Sequence, residues 1–496
     1  MKKRFYYSSC SFKAPHIGIV IDDILSRKKD DIDIYWGYCH CALTSCFKNL
    51  DGYSSICSFC HIVYKNLIRK YGNDITVIPI DRHSFPHKER KFSFKNAEEL
   101  KSIEYRGVQV GYSLLSLYYS FTRDLDLNQM TKFEQFATPL IYELCDFVDY
   151  VYELFDSIQP DEVVTYNGRL FENRLFYDIA NVLNIPFTAL EVVGGNGEPY
   201  RKVSYEGGLP HSIKLWTQKI NDLWRDSPES ENIKIEKASS FYKRRRGGDL
   251  VADVKVYIKD QIEGVLPSDF NDSLRNIAIF NSSQDELAAL GGEWEANLLF
   301  KSQYEALEYL LKNSSDSIHY YLRIHPNLKG VNHKAHLDLY KLSTYKNITV
   351  IPPESEVSSY SLMDACEKVI CFGSTMGVES CYWGKPSILI GHSTYENMNV
   401  CYVASSKEVL LSLIEKQLDP KDQIGALKYS YFLLDRDYRV DENIIDIDVQ
   451  EKRLRWSFQF ASYFKLMGSK KIFQLVYFLY CILMPKFTKG KRVFPW

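Results

Sequence analysis

Several features are missing from this chain of 496 residues. No stretch reaches the ~18 consecutive apolar residues of a membrane-spanning helix. The opening run MKKRFYYSSCSFK is basic but lacks the roughly 7–15-residue apolar core of a secretory leader. Neither sign of charge is in excess: 61 Lys and Arg stand against 63 Asp and Glu, a formal net charge of −2. Such a balance gives no polyanion-binding signal, so nucleic acid is not expected as a partner. Internal repeats and low-complexity tracts are also missing. Twelve cysteines are scattered along the chain. Without an export signal they read as reduced thiols of a cytoplasmic protein.

What is there is a long alternation of short apolar strands and helical stretches, with 45% hydrophobic residues and 36 Tyr and 28 Phe. From Asn276 onward, strands are expected at Ile277–Phe280, His319–Ile324, Ile348–Ile351, Val369–Phe372 and Ser387–Ile390. Helices are expected between them at Phe300–Lys312, Ser358–Cys366 and Thr375–Trp383. That grammar predicts a parallel sheet covered on both faces. In the N-terminal half, strands are expected at His16–Ile21, Ile75–Ile80, Glu162–Tyr166 and Phe187–Leu190, with helices over Thr131–Ile158 and Glu172–Asn184. The polar run around Ser227–Asp249, with Lys243-Arg244-Arg245-Arg246, reads as a linker. The expected organisation is an N-terminal domain at 1–226, a linker region at 227–270, a C-terminal domain at 271–430 and a helical tail at 431–496.

Ligands of parallel sheets sit at the carboxyl ends of the strands, and three polar clusters fall there. In VICFGSTMGVESCYWGKPSILIG, Gly373 allows a tight turn and Ser374 or Thr375 caps the next helix. Free N–H groups at that helix start can hold a phosphate, Gly377 lets a ligand approach, and Glu379 can accept from ribose hydroxyls. A plain capped helix has the same pattern. In YLRIHPNLKG, a strand delivers His325, Pro326 and Asn327 to the sheet edge, where His325 can donate to a phosphate or protonate a leaving one. In IAIFNSSQDELAALGGEW, Ser282, Ser283, Asp285 and Glu286 follow a strand, where Ser283–Glu286 also has capping-box spacing.

The runs FNSSQDELAALGGEW, RIHPN and FGSTMGVESCYWGKPSIL, with DEVVTYNGRLFENRLFYDIANVLNIPFTALEVVGG before them, resemble bacterial capsule and surface-polysaccharide biosynthesis proteins. These include the Kdo-transferase-like and sialyltransferase-like glycosyltransferases of the GT-B class. The resemblance implies an α/β fold of two facing Rossmann-like domains and a nucleotide-sugar donor, CMP-linked by preference. It assigns the nucleotide to His325-Pro326 and Ser374-Thr375. It also implies a growing or lipid-linked glycan as acceptor, presented by the N-terminal domain. There Asn167 and Arg169 stand at a strand end, with Arg174 in the next helix. These are the expected acceptor contacts. Inverting transfer needs a carboxylate base; Glu191 is the first choice, then Asp285 or Glu286. No Asp-x-Asp lies at a strand end, so an obligatory metal is not expected. Alternative readings are a CDP-alditol phosphotransferase, a nucleotide-sugar epimerase, or a non-catalytic scaffold of a polysaccharide-assembly complex.

Two further segments carry expectations. Cys57-Ser-Phe-Cys60 has zinc-knuckle spacing, and Cys46 with Cys39 or Cys41 can complete a structural zinc site; buried thiols are the alternative. The tail Ile472–Met484 (IFQLVYFLYCILM), flanked by lysines, is too short to span a bilayer. It fits a segment lying on the inner membrane face or a helix packed on the body.

Overall fold

The computed structural model describes residues 2–9, 14–28, 30, 32–47, 49, 52, 54–125, 127, 130–195, 198–252, 257–258, 260–436 and 438–439. These fall into two compact units. The first is drawn from Met1–Leu117, Gln129–Pro210 and the pair at 438–439; the second from Tyr118–Asn128 and His211–Asp437. The tail segment Ile472–Met484 lies outside the described residues. Among the described residues, no helix is long and apolar enough to cross a membrane.

The first unit holds strands β1 (Lys2–Ser8), β2 (Ile32–Cys39), β3 (Thr76–Ile80), β4 (Glu162–Tyr166), β5 (Phe187–Gly195) and β6 (Glu198–Glu206). The second holds β7 (Arg275–Phe280), β8 (Ile318–Arg323), β9 (Ile348–Ile351), β10 (Lys368–Cys371), β11 (Ser387–Leu389) and β12 (Tyr402–Val403). The last strand, β13 (Tyr438–Arg439), returns to the first unit. Both sheets are built outward from their first strand. In the second unit the order is β12-β11-β10-β7-β8-β9, with every pair parallel. In the first it is β13-β6-β5-β4-β1-β2-β3, parallel from β5 to β3 and antiparallel beyond β5. Each unit thus has the doubly wound α/β order, and the expected pair of Rossmann-type units is present. The order reverses between β1 and β4 in one unit and between β7 and β10 in the other. Such switch points open a crevice at the strands' carboxyl ends.

The central strands are buried on both faces, as continuous apolar runs require. On β7, Ile277 and Ile279 join a core with Leu307 and Leu310 of the helix Gln303–Asn313, while Ala278 and Phe280 join another with Leu362 of the helix Ser359–Ala365. On β1, Tyr6 packs with Ile17, Val20 and Ile24, whereas Phe5 and Tyr7 stack on Phe176.

Two expectations are corrected. His16–Ile21 is not a strand but part of the helix Ala14–Arg27. Ile17, Val20, Ile21 and Ile24, all buried, lie at helical spacing, so the period is 3.6 and not 2. The basic run of the expected linker is the end of a packed helix, Glu231–Arg246, which buries Lys234, Ala238, Phe241, Tyr242 and Arg245. Lys243 and Arg244 of that run stay exposed, while Arg245 points inward to a buried carboxylate. Among the elements not anticipated are the strands β1, β2, β6 and β12 and the helices Ser54–Tyr71 and Val110–Thr122.

Candidate functional site

In the second unit, parallel register brings three strand ends level: Phe280 lies opposite Arg323 on one side and Cys371 on the other. The residues just beyond them therefore emerge together at the switch point. Asn281, 1% exposed, fixes the neighbouring turn through its Oδ1, which accepts the His325 backbone N–H at 2.7 Å. His325 caps the short helix Pro326–Leu328, its Nδ1 accepting the Asn327 N–H at 3.1 Å. With Nδ1 an acceptor, the neutral ring carries its proton on Nε2, making that atom a donor. Tyr257 meets the ring edge-on at 4.9 Å.

Ser282 accepts a hydrogen bond from Gln303 Nε2 at 3.1 Å. Ser283 does not cap a helix; its hydroxyl donates to Asp285 Oδ1 at 2.6 Å. Both residues are gripped by Arg123, whose Nε lies 2.7 Å from Asp285 Oδ2 and whose Nη1 reaches the Asn327 carbonyl at 3.3 Å. Arg123 was not anticipated. It lies far upstream in sequence, and its φ of +56°, uncommon for a residue with a Cβ, was its one unusual feature. Asp285, a second-choice base after Glu191, is paired in this way with Arg123. Glu286 has its backbone in the short helix Gln284–Glu286, and its side chain lies outside the described residues.

The Gly373 turn is as expected, with φ +80° and a Cβ position only 2.9 Å from the His392 carbonyl. Three other expectations here are corrected. Ser374, not Thr375, receives the helix-start donors: its Oγ accepts from Met376 N–H at 3.3 Å and its carbonyl from Gly377 N–H at 3.0 Å. Those N–H groups are thus already engaged and offer little to a phosphate. Gly377 makes room for protein and not for ligand, since a Cβ there would lie 2.5 Å from the Tyr395 hydroxyl and 2.6 Å from Cys371 Sγ. Glu379 is 1% exposed, with Oε1 accepting from Arg245 Nη2 at 3.0 Å and Oε2 from the Tyr360 hydroxyl. It anchors the basic helix and does not face a ribose. Burial, reinforced by that carboxylate, holds the Tyr360 phenol in its protonated form.

The first unit carries a pocket at its own switch point. Ser8 and Ser9 come from the end of β1, His16, Ile17 and Val20 from the helix after it, and Tyr166 from the end of β4. Leu170, Glu172, Asn173 and Phe47 complete the wall of a small cavity of about 30 Å³. Tyr166 donates to Glu191 Oε1 at 2.7 Å, and its oxygen is 2.8 Å from His16 Nε2. Its single proton is committed to Glu191, so His16 Nε2–H is the donor in the second contact. Burial and the neighbouring Glu191 push the Tyr166 phenol well above its ordinary range. Glu191 Oε2 accepts from Asn167 Nδ2 at 2.5 Å. Both its oxygens are therefore engaged, and the first-choice base holds Tyr166 in place. Asn167 (φ +58°) and Gly168 (φ +70°) form a left-handed turn, in which Asn167 Oδ1 accepts from the Arg169 N–H. Arg169 is half-buried within electrostatic reach of Tyr166. Arg174 is 5% exposed, bonded to Asp178 at 2.9 Å and Gln109 at 2.6 Å, so it braces its helix instead of contacting an acceptor.

The cysteines do not form the expected zinc site. Among the described residues, no group of three or more His, Cys, Asp or Glu side chains is placed to hold a metal. Cys57 and Cys60 lie one turn apart in the helix Ser54–Tyr71. Cys57 turns to the Cys41 thiol and to Asn49 Nδ2 at 3.5 Å, both of which lower its pKa.

No family model matches the chain, and no curated protein matches it in sequence. Among solved structures it is similar to the KpsC β-Kdo 2,4 transferase of Thermosulfurimonas dismutans, at 15% identity and a TM-score of 0.38, over 59% of this chain and 87% of that one. It is also similar to the UDP-GlcNAc 2-epimerase of Neisseria meningitidis, at 14% identity and a TM-score of 0.27, over 92% and 100%. The fold assignment rests on the two strand orders themselves.

Proposed function

We propose that the chain is a glycosyltransferase that binds a nucleotide sugar at the switch point of its second unit and passes the sugar to a surface-glycan acceptor. One observation supports this most: Asn281, His325 and the Gly373-Ser374 turn stand at the level ends of three adjacent strands, with His325 Nε2–H a donor. A donor there stabilises the negative charge that grows on a departing nucleotide phosphate. The CMP-linked donor, the capsule or lipopolysaccharide acceptor and work at the inner membrane face belong to this reading through the family resemblance.

The test is thermal stabilisation of the full chain by CMP, CDP, UDP, GDP and TDP, each with and without magnesium. A ligand of the folded state raises the melting temperature by mass action. A shift selective for CMP, lost in His325→Ala, is the expected result. A shift selective for UDP or another nucleotide replaces the donor, and no shift with any of them counts against nucleotide-sugar chemistry.

A further inference from the structure

We propose that Cys41 and Cys57 of the first unit are an oxidation site, at which a hydroperoxide closes a reversible disulfide, Cys57 attacking the peroxide and Cys41 resolving the product. The chemistry is independent of sugar transfer. In the first step the Cys57 sulfur bonds to a peroxide oxygen and the O–O bond breaks. Its electron pair leaves as hydroxide, which takes a proton to become water, and Cys57 becomes a sulfenic acid. In the second step the Cys41 sulfur bonds to the Cys57 sulfur and the S–O bond breaks. The oxygen leaves as water with the Cys41 proton. Two thiols thus lose two electrons and two protons, and one peroxide is reduced to two waters.

The fold places the two thiols together. Cys41 stands in the loop just beyond β2, where its φ of +60° bends the chain. Cys57 stands in the first turn of the helix Ser54–Tyr71, and a helix start favours negative charge. Between them Cys46 and Asn49 pair through their backbones. The Cys46 N–H donates to the Asn49 carbonyl at 3.2 Å, and the Asn49 N–H to the Cys46 carbonyl at 2.9 Å. That turn aims the buried Asn49 side chain, whose Nδ2 donates to Cys57 Sγ at 3.5 Å. The other donor to Cys57 is the Cys41 thiol. Donation from Cys41 and from Asn49, with the Arg82 charge, lowers Cys57 to about 6 against the opposing effect of burial. The same hydrogen bond, with burial, raises Cys41. The pair thus divides into an ionised nucleophile and a protonated partner.

Access completes the selection. Both residues are half-buried, within reach of a small oxidant. An accessible thiolate beside a second cysteine is the arrangement that suits peroxide chemistry. The nearby Cys39 is held well above the ordinary thiol range by burial, so it does not compete as a nucleophile. The second unit supplies a contrast. Its Cys371 is also lowered by a neighbouring thiol, that of Cys401, but the two are 0% and 5% exposed and sealed in the core. In the first unit the new bond would tie the loop that carries Phe47, a wall of the cavity beside Glu172, to the helix Ser54–Tyr71.

The experiment treats the reduced full chain with hydrogen peroxide at neutral pH, blocks the remaining thiols with N-ethylmaleimide and maps the cysteines by peptide mass spectrometry. The expected product is a linked pair of peptides joining Cys41 to Cys57, two hydrogens lighter than the reduced pair and cleaved by dithiothreitol. In Cys41→Ser, oxidation should stop at the Cys57 sulfenic acid, trapped by dimedone. In Cys57→Ser, oxidation of Cys41 should slow by at least about tenfold, because its thiol is protonated. Cys371 and Cys401 should stay reduced. A link from Cys57 to Cys39, Cys46 or Cys60 overturns the assignment, as does a wild-type Cys57 that passes to sulfinic acid without a disulfide. Oxidation of Cys41 at an unchanged rate in Cys57→Ser, or of Cys371 at the rate of Cys57, overturns it equally. If a serine variant does not fold, the linkage map of the wild type decides alone.

Discussion

Replacing Glu172 by Gln should stabilise the protein, and by an amount that depends on pH. Burial raises this carboxyl from 4.5 to about 7. The folded chain therefore keeps a proton that the unfolded chain has released between those values. Stability falls as pH rises wherever the folded state binds more protons. The penalty is absent below about pH 4.5 and complete above about pH 7.5. At 1.36 kcal/mol per pKa unit it amounts to about 3 kcal/mol. Glutamine has the same shape and does not titrate. The stability difference between Glu172→Gln and wild type should thus grow by about 3 kcal/mol from pH 4.5 to pH 7.5. For a cooperative unit of some 200 residues, that is roughly 6–12 °C in melting temperature. Paired thermal melts in matched buffers measure it, because every other titrating group cancels in the difference. A difference that is flat with pH would refute the reasoning, since it would mean that water reaches the carboxylate and the pocket is not the low-dielectric site described above.

Other perturbations should read out separate parts of the fold. Gly377→Ala places a methyl against the Tyr395 hydroxyl and Cys371 Sγ, both buried; overpacking should cost about 1–3 kcal/mol, seen as a lower urea midpoint. Arg245→Met strands the buried Glu379 carboxylate and should cost about 3–5 kcal/mol, largely recovered when Glu379→Gln is added; a double variant no better than the single would contradict the pairing. Arg123→Ala breaks a partly exposed pair and should cost only about 1 kcal/mol of stability. It also frees the loop of Ser283 and Asp285, so nucleotide Kd, followed by titration calorimetry, should rise by up to about tenfold.

How much of this was legible depended on whether the information was local. The second unit was: β7, β8, β9 and β10 lie where apolar runs punctuated by polar turns placed them, and Asn281, His325 and Ser374 follow from strand ends alone. Misreadings arose where a pattern has two physical meanings. HIGIVI alternates closely enough to pass for a strand, and only the continuation to Ile24 gives it away as a helix. KRRRGG looks like a solvated linker until its Arg245 finds Glu379 across the unit. Glu379 itself sits one turn into a helix whether it faces a ligand or an arginine. Glu172 carried no signal at all. Its environment is made by residues from β1, β4, the helix after β1 and the loop of Phe47, none of which announces the others. Arg123 is more distant still, contacting Asp285 at a separation of 162 residues.

That separation has a consequence for how the protein is made. On a ribosome adding about 5–20 residues per second, Arg123 emerges roughly 8–30 s before Asp285. Tyr118–Asn128 waits through that interval, although the strands β4 and β5 that follow it belong to the other unit. At the far end, β13 cannot close on β6 until the whole of 211–437 has been synthesised. The nascent chain therefore cannot finish its units one after the other. The first unit keeps an unfinished edge until late in translation, with strand β6 waiting for β13.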